Sequence, residues 1–187
     1  QQVDDFALAC SNQNVADKIY DIIGKKLQLP KEDKPPFAKL GLIHDFNGIN
    51  ISQTDSYIQI LCATYIDRLV TTHGWAEDKK SKDLSKSIAP LHIDAVKQVY
   101  EHKGPLEGTT EHKAIEEKAG FAYRTLLGKM MYAYVTCCPD IGYAITLMSK
   151  FSSSPSKYHY SCLKNIARYL RAHKRMGHKV HQTTPKL

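Results

Sequence analysis

Residues 156–174 read Ser156-Lys157-Tyr158-His159-Tyr160-Ser161-Cys162-Leu163-Lys164-Asn165-Ile166-Ala167-Arg168-Tyr169-Leu170-Arg171-Ala172-His173-Lys174. At 100° per residue, Leu163, Ile166, Ala167 and Leu170 fall on one side of a helix, with Cys162 and Tyr169 at its margin. Lys157, Lys164, Arg168, Arg171 and Arg175 fall within a sector about 60° wide, roughly 110° from that apolar side. The stretch therefore predicts an amphipathic helix over 156–174. A solvated helix surface ordinarily mixes both signs of charge, and this stripe carries only one. Its spacing suits tracking of a phosphate backbone; a merely solvated basic face is the alternative reading.

Upstream of this helix, helical spacing is also clear in Tyr123, Leu126, Leu127, Met130, Met131 and Tyr134. Pro139 ends that segment and suits the first position of the next, which carries Ile141, Ala144, Ile145, Met148 and Phe151. The Met130-Met131 and Tyr132–Tyr134 stretch reads as core packing, and Trp75 and His44 likewise read as structural residues. Residues 75–118 are the least patterned, rich in Lys, Asp, Ser and Glu, and predict a long loop with at most short helical pieces. Before them, Tyr57, Ile58, Leu61, Cys62, Tyr65, Ile66 and Leu69 predict a helix capped by Thr54 or Asp55 and ended by Gly74.

Nearer the N-terminus the pattern changes. Leu40 to Phe46, Asn47-Gly48 and Ile49 to Ile51 form a hairpin signal, because Asn-Gly favours the type I′ turn. Val15, Ile19, Ile22, Ile23 and Leu27 follow Ser11 and Asn12, two good N-cap types, at helical spacing. Val3, Phe6, Leu8 and Cys10 alternate as a short strand would. A few strands followed by mostly helices predict an α+β fold, a small antiparallel sheet before a helical region.

The chain has 187 residues, 42% of them hydrophobic and 24% charged, with a mean hydropathy of −0.40. This is the range of globular domains and not of disordered or collagen-like chains. No apolar run approaches the roughly 20 residues of a membrane span, so no membrane partner is expected. The five cysteines are odd in number, include the adjacent pair Cys137-Cys138 and contain no Cys-x-x-Cys. They read as reduced, packed thiols of a cytosolic or nuclear protein. His173, His178 and His181 cluster in a basic tail, where solvated side chains are expected rather than a metal site. Net charge is +7, yet residues 141–187 contain nine Lys or Arg and no Asp or Glu. That asymmetry points to a polyanionic partner for the C-terminal quarter, with nucleic acid the first candidate.

Asp4-Asp5 is a weak signal by itself. Its place between Val3 and Phe6-Ala7-Leu8-Ala9, ahead of a helix and an Asn-Gly hairpin, gives it more weight. Adjacent carboxylates on a tight turn can hold Mg²⁺, a hard cation that prefers oxygen ligands. Two such ions can serve in-line phosphoryl transfer, which also needs a carboxylate from another strand. The chain begins at Gln1, within the expected strand, and reads as a piece of a longer polypeptide.

Taken together, these segments resemble the reverse transcriptase of copia-type LTR retrotransposons. Gln2-Val3-Asp4-Asp5 is similar to that family's Tyr-Val-Asp-Asp catalytic turn, and Leu40-Gly41 to the Leu-Gly of its primer-grip hairpin. Ile51-Ser52-Gln53 with Tyr57-Ile58 resembles its Leu-Ser-Gln-x-x-Tyr-Ile segment. Tyr123-Arg124-Thr125-Leu126-Leu127-Gly128, ending in Met131-Tyr132, resembles its Tyr-Arg-x-Leu-x-Gly-x-Leu-Met-Tyr block. Pro139-Asp140-Ile141-Gly142-Tyr143-Ala144 and Ser149-Lys150-Phe151 resemble its Pro-Asp-Ile-x-Tyr-Ala and Ser-Arg-Phe block. Pro155, His159 and Arg168-Tyr169-Leu170 fit the stretch that follows. Only 75–118 lies outside the resemblance. Gln2 stands where the family has Tyr, and Cys138 where it usually has Arg.

The resemblance implies an RNA-directed DNA polymerase within a retrotransposon polyprotein. Residues 1–52 would be the end of the palm, and residues 53–187 the thumb and the start of the connection. Asp4 and Asp5 would be the catalytic, Mg²⁺-binding carboxylates, and Leu40 and Gly41 would hold the primer terminus. Lys157, Lys164, Arg168, Arg171 and Arg175 would grip the template–primer. Its partners would be an RNA or DNA template–primer, deoxynucleoside triphosphates and the rest of the polyprotein, with fingers upstream and RNase H downstream. The expected location is the cytoplasm, in virus-like particles, and the nucleus. The isolated chain is expected to be inactive as a polymerase. A non-catalytic nucleic-acid-binding module and a degenerate remnant of the element are the alternatives.

Overall fold

A computed structural model describes residues 7–8, 10, 12–26, 42–75 and 89–181. The fold is α+β, as the sequence pattern predicts: a four-stranded antiparallel sheet in chain order and seven α-helices among the described residues. The chain divides into two compact units, Gln1–Phe46 and Asn47–Leu187.

In the first unit, α1 (Gln13–Lys26) starts behind Asn12. The Asn12 side-chain oxygen accepts the Asn14 N–H at 2.8 Å, and its carbonyl accepts the N–H groups of Val15 and Ala16. The Asn14 and Val15 donors, which would otherwise lack partners, are thereby satisfied. Ala7, Leu8 and Cys10 belong to no strand. Asp4, Asp5, Leu40 and Gly41 lie outside the described residues. The unit ends in β1 (Asp45–Phe46).

The second unit opens with Asn47-Gly48, whose φ angles of +54° and +80° are the two positive values a type I′ turn requires. It leads into β2 (Ile49–Gln53) and β3 (Tyr57–Leu61), paired antiparallel with Asn50 opposite Leu61. Here the structure corrects the expected helix from Thr54. The Thr54 hydroxyl accepts the N–H groups of Ser56 and Tyr57 while the Thr54 N–H donates to the Tyr57 carbonyl at 2.9 Å. This closes a tight turn and not a helix cap. Tyr57-Ile58-Gln59-Ile60-Leu61 then has strand partners on both sides.

The helix begins only at α2 (Ala63–Thr72). Its N-cap Cys62 makes no side-chain cap bond. Asn50 substitutes from β2, accepting the Thr64 N–H at 2.9 Å and donating to the Thr64 hydroxyl at 2.7 Å. Gly74 follows the helix with φ +66° and donates its N–H to Thr71, in the terminating role expected of it.

Residues 75–118 hold α3 (Ile93–Gln98) and the ten-residue α4 (Thr110–Ala119), which is longer than the short pieces expected there. Thr109 caps α4 through the His112 N–H, and Gly120 ends it in the left-handed conformation. The sequence of α4 is mostly charged, so it carries almost no apolar period to betray it. Next come α5 (Tyr123–Thr136), a 3₁₀ turn at Pro139–Ile141, α6 (Gly142–Ser149) and α7 (Lys157–Ala172), close to the expected bounds.

The core of this unit is helical. Leu126, Met130, Ile141, Ile145, Leu163 and Ile166 are fully buried where α5 packs on α6 and α7. Each such side chain contributes about 1.5–3 kcal/mol relative to exposure. The buried Tyr123 hydroxyl donates to the Met148 carbonyl at 3.0 Å, tying α5 to α6. All five cysteines are free, with Cys10 exposed and the other four buried, as packed thiols would be.

After α7 comes a second correction. Gly177–His181, expected as part of a frayed tail, forms β4 against β3, with Ile58 opposite Val180 and Tyr57 opposite His181, while its side chains stay exposed as expected. Gly177 fits because an added Cβ would collide with the Ile60 carbonyl. The strand is held by backbone pairing, since all five of its residues remain exposed.

Candidate nucleic-acid interface

The basic helix forms as its sequence demands. Ser156 and His159 build a reciprocal cap at the start of α7: the Ser156 hydroxyl accepts the His159 N–H, and the Ser156 N–H donates to His159 Nδ1 at 2.9 Å. His159 Nε2 therefore carries the proton and donates to the Val99 carbonyl at 2.8 Å. Burial lowers the pKa of His159, partly countered by the Val99 carbonyl. Leu163, Ile166, Ala167 and Leu170 are buried, as are Cys162 and Tyr169 at the margin of the apolar side.

The five cations of the stripe differ in what they touch. Lys157 is exposed at the start of α7; Arg175 is also exposed, but it lies in the turn beyond Ala172, so the expected helical sector holds Lys157, Lys164, Arg168 and Arg171 and not Arg175. Lys164 is half-buried, with its ammonium 5.5 Å from the centre of the Trp75 ring. Arg168 donates to the Asn165 side chain at 2.9 Å, and Arg171 donates to the Trp75 carbonyl at 2.8 Å. Outside the sector, Lys174 is paired with Asp67 of α2 at 2.8 Å. The absence of acids after Asp140 thus does not leave every cation of this region unpaired, because folding brings an acid from another element.

Trp75, Phe121 and His73 were invisible as a group in the sequence. Trp75 stacks on His73 with ring centres 4.9 Å apart and meets Phe121 edge-on at 5.4 Å. Burial lowers the pKa of His73, and Lys129 adds to the effect. Phe121 also contacts the buried Tyr160 at 5.3 Å, whose hydroxyl is pushed up to about 12 by burial and by Glu116. This aromatic cluster meets the stripe through Trp75, which contacts Lys164 and Arg171. The one available clue was the position of Trp75, directly after the helix-ending Gly74.

Lys118, Lys157 and Lys164 share a cavity of about 250 Å³ with Ile115, Phe121 and Ser161. Lys118 comes from α4, so sequence spacing on α7 could not reveal its place beside the stripe.

Elsewhere, Cys62 lies beside Cys137 and Cys138, with its Sγ 3.2 Å from the Thr136 hydroxyl. Hydrogen bonding from Cys138 lowers the pKa of Cys62, and burial raises that of Cys137. Among the described residues, no group of three or more His, Cys, Asp or Glu is arranged to hold a metal ion. No described helix is long and apolar enough to cross a membrane.

Part of the chain is similar to a retrotransposon protein. Over 60 residues, 30% of the chain, it is 42% identical to the Retrovirus-related Pol polyprotein from transposon TNT 1-94 of Nicotiana tabacum. Over 55 residues, 29% of the chain, it is 34% identical to Secreted RxLR effector protein 161 of Plasmopara viticola. The chain spans 4% of the first relative's length and 39% of the second's. No family model matches it, and no solved structure does.

Proposed function

We propose that this chain is part of the RNA-directed DNA polymerase of a copia-type retrotransposon polyprotein, and that α7 contacts the backbone of the template–primer. The 42% identity over 60 residues to a retrotransposon Pol polyprotein carries the reading. The order of the motif blocks from Gln2 to Leu170 supports it, as do Lys157 at the start of α7 and Arg175 in the turn after it, both open to solvent.

In this reading Asp4 and Asp5 hold Mg²⁺, for which two adjacent carboxylates are a fitting oxygen donor set, and the metal stabilises charge on the transferring phosphoryl group. Leu40 and Gly41 hold the primer end. The cations of α7 neutralise phosphates without reading bases, since ammonium and guanidinium groups on phosphate carry no sequence information. Deoxynucleoside triphosphates are the substrates, and the fingers and RNase H portions of the polyprotein are the partners in the chain. Virus-like particles in the cytoplasm, and then the nucleus, are where such a polyprotein would act.

Two measurements test the two halves separately. In the parent polyprotein, Asp4→Asn or Asp5→Asn should abolish primer extension while leaving template–primer binding nearly unchanged; normal extension by either variant overturns the catalytic assignment. In the 187-residue chain, the double variant Lys157→Gln/Arg175→Gln should flatten the plot of log K against log salt for duplex DNA. Each phosphate contact contributes roughly 0.9 to that slope, so the change should approach about 2. A folded double variant with an unchanged slope makes the stripe a solvated face.

A further inference from the structure

The cavity beside the basic stripe combines a cationic rim with an apolar wall. Its rim carries three ammonium groups, Lys118 at the end of α4 and Lys157 and Lys164 on α7, and none of its lining residues is acidic. Among the described residues, none of the three lysines is in an ion pair. Glu116 acts on the Tyr160 hydroxyl in the lining, but three ammonium groups against one carboxylate leave an excess of positive charge, which a bound anion with two negative charges relieves. The rest of the lining is largely apolar, with Ile115, Ala119 and Phe121 among its residues. Phe121 cannot easily move aside, being held edge-on by Trp75 at 5.4 Å and against Tyr160 at 5.3 Å.

A bare inorganic anion would use the lysines and leave the apolar wall wet. A ligand that uses both carries a phosphate on a flat, largely apolar body. Size narrows this further. At about 250 Å³ the cavity lies just under the roughly 300 Å³ at which drug-sized pockets begin, so one ring system fits and several stacked bases do not.

We propose that this cavity binds a single nucleotide, free or at the 5′ end of a strand, with its phosphate on Lys118, Lys157 and Lys164 and its base against Ile115, Ala119 and Phe121. The site shares Lys157 and Lys164 with the proposed template–primer contact. It does not rest on the polymerase reading, and Lys118 separates the two because it lies on α4, off the stripe.

Titration calorimetry on the 187-residue chain tests the proposal with deoxyadenosine monophosphate, deoxyadenosine and inorganic phosphate as probes. The monophosphate should bind at least tenfold more tightly than either of the others. Lys118→Gln should weaken it at least fivefold, and Ser161→Glu, which places a carboxylate in the cavity from an exposed position, should abolish it. Lys150→Gln, outside the cavity, should leave it unchanged. Lys118→Gln should also leave the salt slope for duplex DNA unchanged, so loss of the nucleotide site and loss of the backbone contact are read independently. A 5′-phosphorylated oligodeoxyadenylate that outcompetes its 5′-hydroxyl counterpart tenfold identifies a strand end as the source; equal competition identifies the free nucleotide. Phosphate or deoxyadenosine matching the monophosphate overturns the proposal. So does undetectable binding at millimolar monophosphate, or Lys118→Gln binding as tightly as the unaltered chain.

Discussion

Helix α7 and strand β4 are separated by only four residues, yet they are held in place by opposite means. Eight of the sixteen residues of α7 are buried, whereas all five of β4 are exposed. The helix is fixed by side chains entering the core between α2, α5 and α6. The strand is fixed by backbone hydrogen bonds to β3, with only peripheral help such as the Lys179 ammonium 3.6 Å from the centre of the Tyr57 ring. An amphipathic period announces the first kind of element. Nothing in side-chain chemistry announces the second, because its partner is a neighbouring backbone.

Core truncation gives the largest expected contrast. Leu163→Ala, at a fully buried site, should cost about 2–5 kcal/mol, the range for removing a packed leucine. Val180→Ala, on a residue 59% exposed, should stay within about 0.5 kcal/mol. Urea unfolding followed by circular dichroism checks both. Similar losses at the two sites would break the comparison and place β4 within the core.

Acid should act on the helix cap with a smaller effect. Burial depresses the His159 pKa, with His102 adding to the shift and the Val99 carbonyl opposing it, so the folded state holds the proton less tightly than the unfolded chain does. Its contribution to stability is then complete above about pH 6.5, the unfolded value, and is lost as pH falls below that. The slope should not exceed about 1.4 kcal/mol per pH unit for one group. His73, also depressed, shifts stability in the same direction. Unfolding midpoints at pH 8.0, 6.5 and 5.0 should therefore fall mainly over the last interval, and His159→Gln should reduce that fall. An undiminished fall in the variant would remove the cap from the account.

The smallest effect belongs to the link between α2 and the segment joining α7 to β4. Lys174→Gln breaks the ion pair with Asp67, whose side chains are 36% and 52% exposed, and should cost less than about 1 kcal/mol. The cost should shrink further in 1 M salt. A loss comparable to that of Leu163→Ala would mean that this pair, and not the apolar side of α7, sets the position of the helix end.

Sequence by itself determined the elements whose signal is local. Helices α5 and α7 show a full apolar period, α1 has Asn12 as its cap, and Asn47-Gly48 can meet the positive φ values of its turn at little cost. The stripe of Lys157, Lys164, Arg168 and Arg171 was legible for the same reason, since residues three and four apart share a helix side whatever surrounds it; Arg175 was not, because the helix ends at Ala172 before reaching it. Tertiary structure decided the rest. Tyr57–Leu61 has a composition that suits either a helix or a strand, and the Thr54 turn together with pairing to β2 and β4 selected the strand. The α4 helix was hidden by its charges and is positioned by Thr109, Gly120 and its packing on α7. Asp67 reached Lys174 across more than a hundred residues, and Lys118 joined Lys157 and Lys164 around one cavity from a different helix. Proximity between residues far apart in sequence is fixed by how the helices and strands pack, and that packing minimises exposed apolar surface over the whole unit, a quantity that no local window of sequence contains.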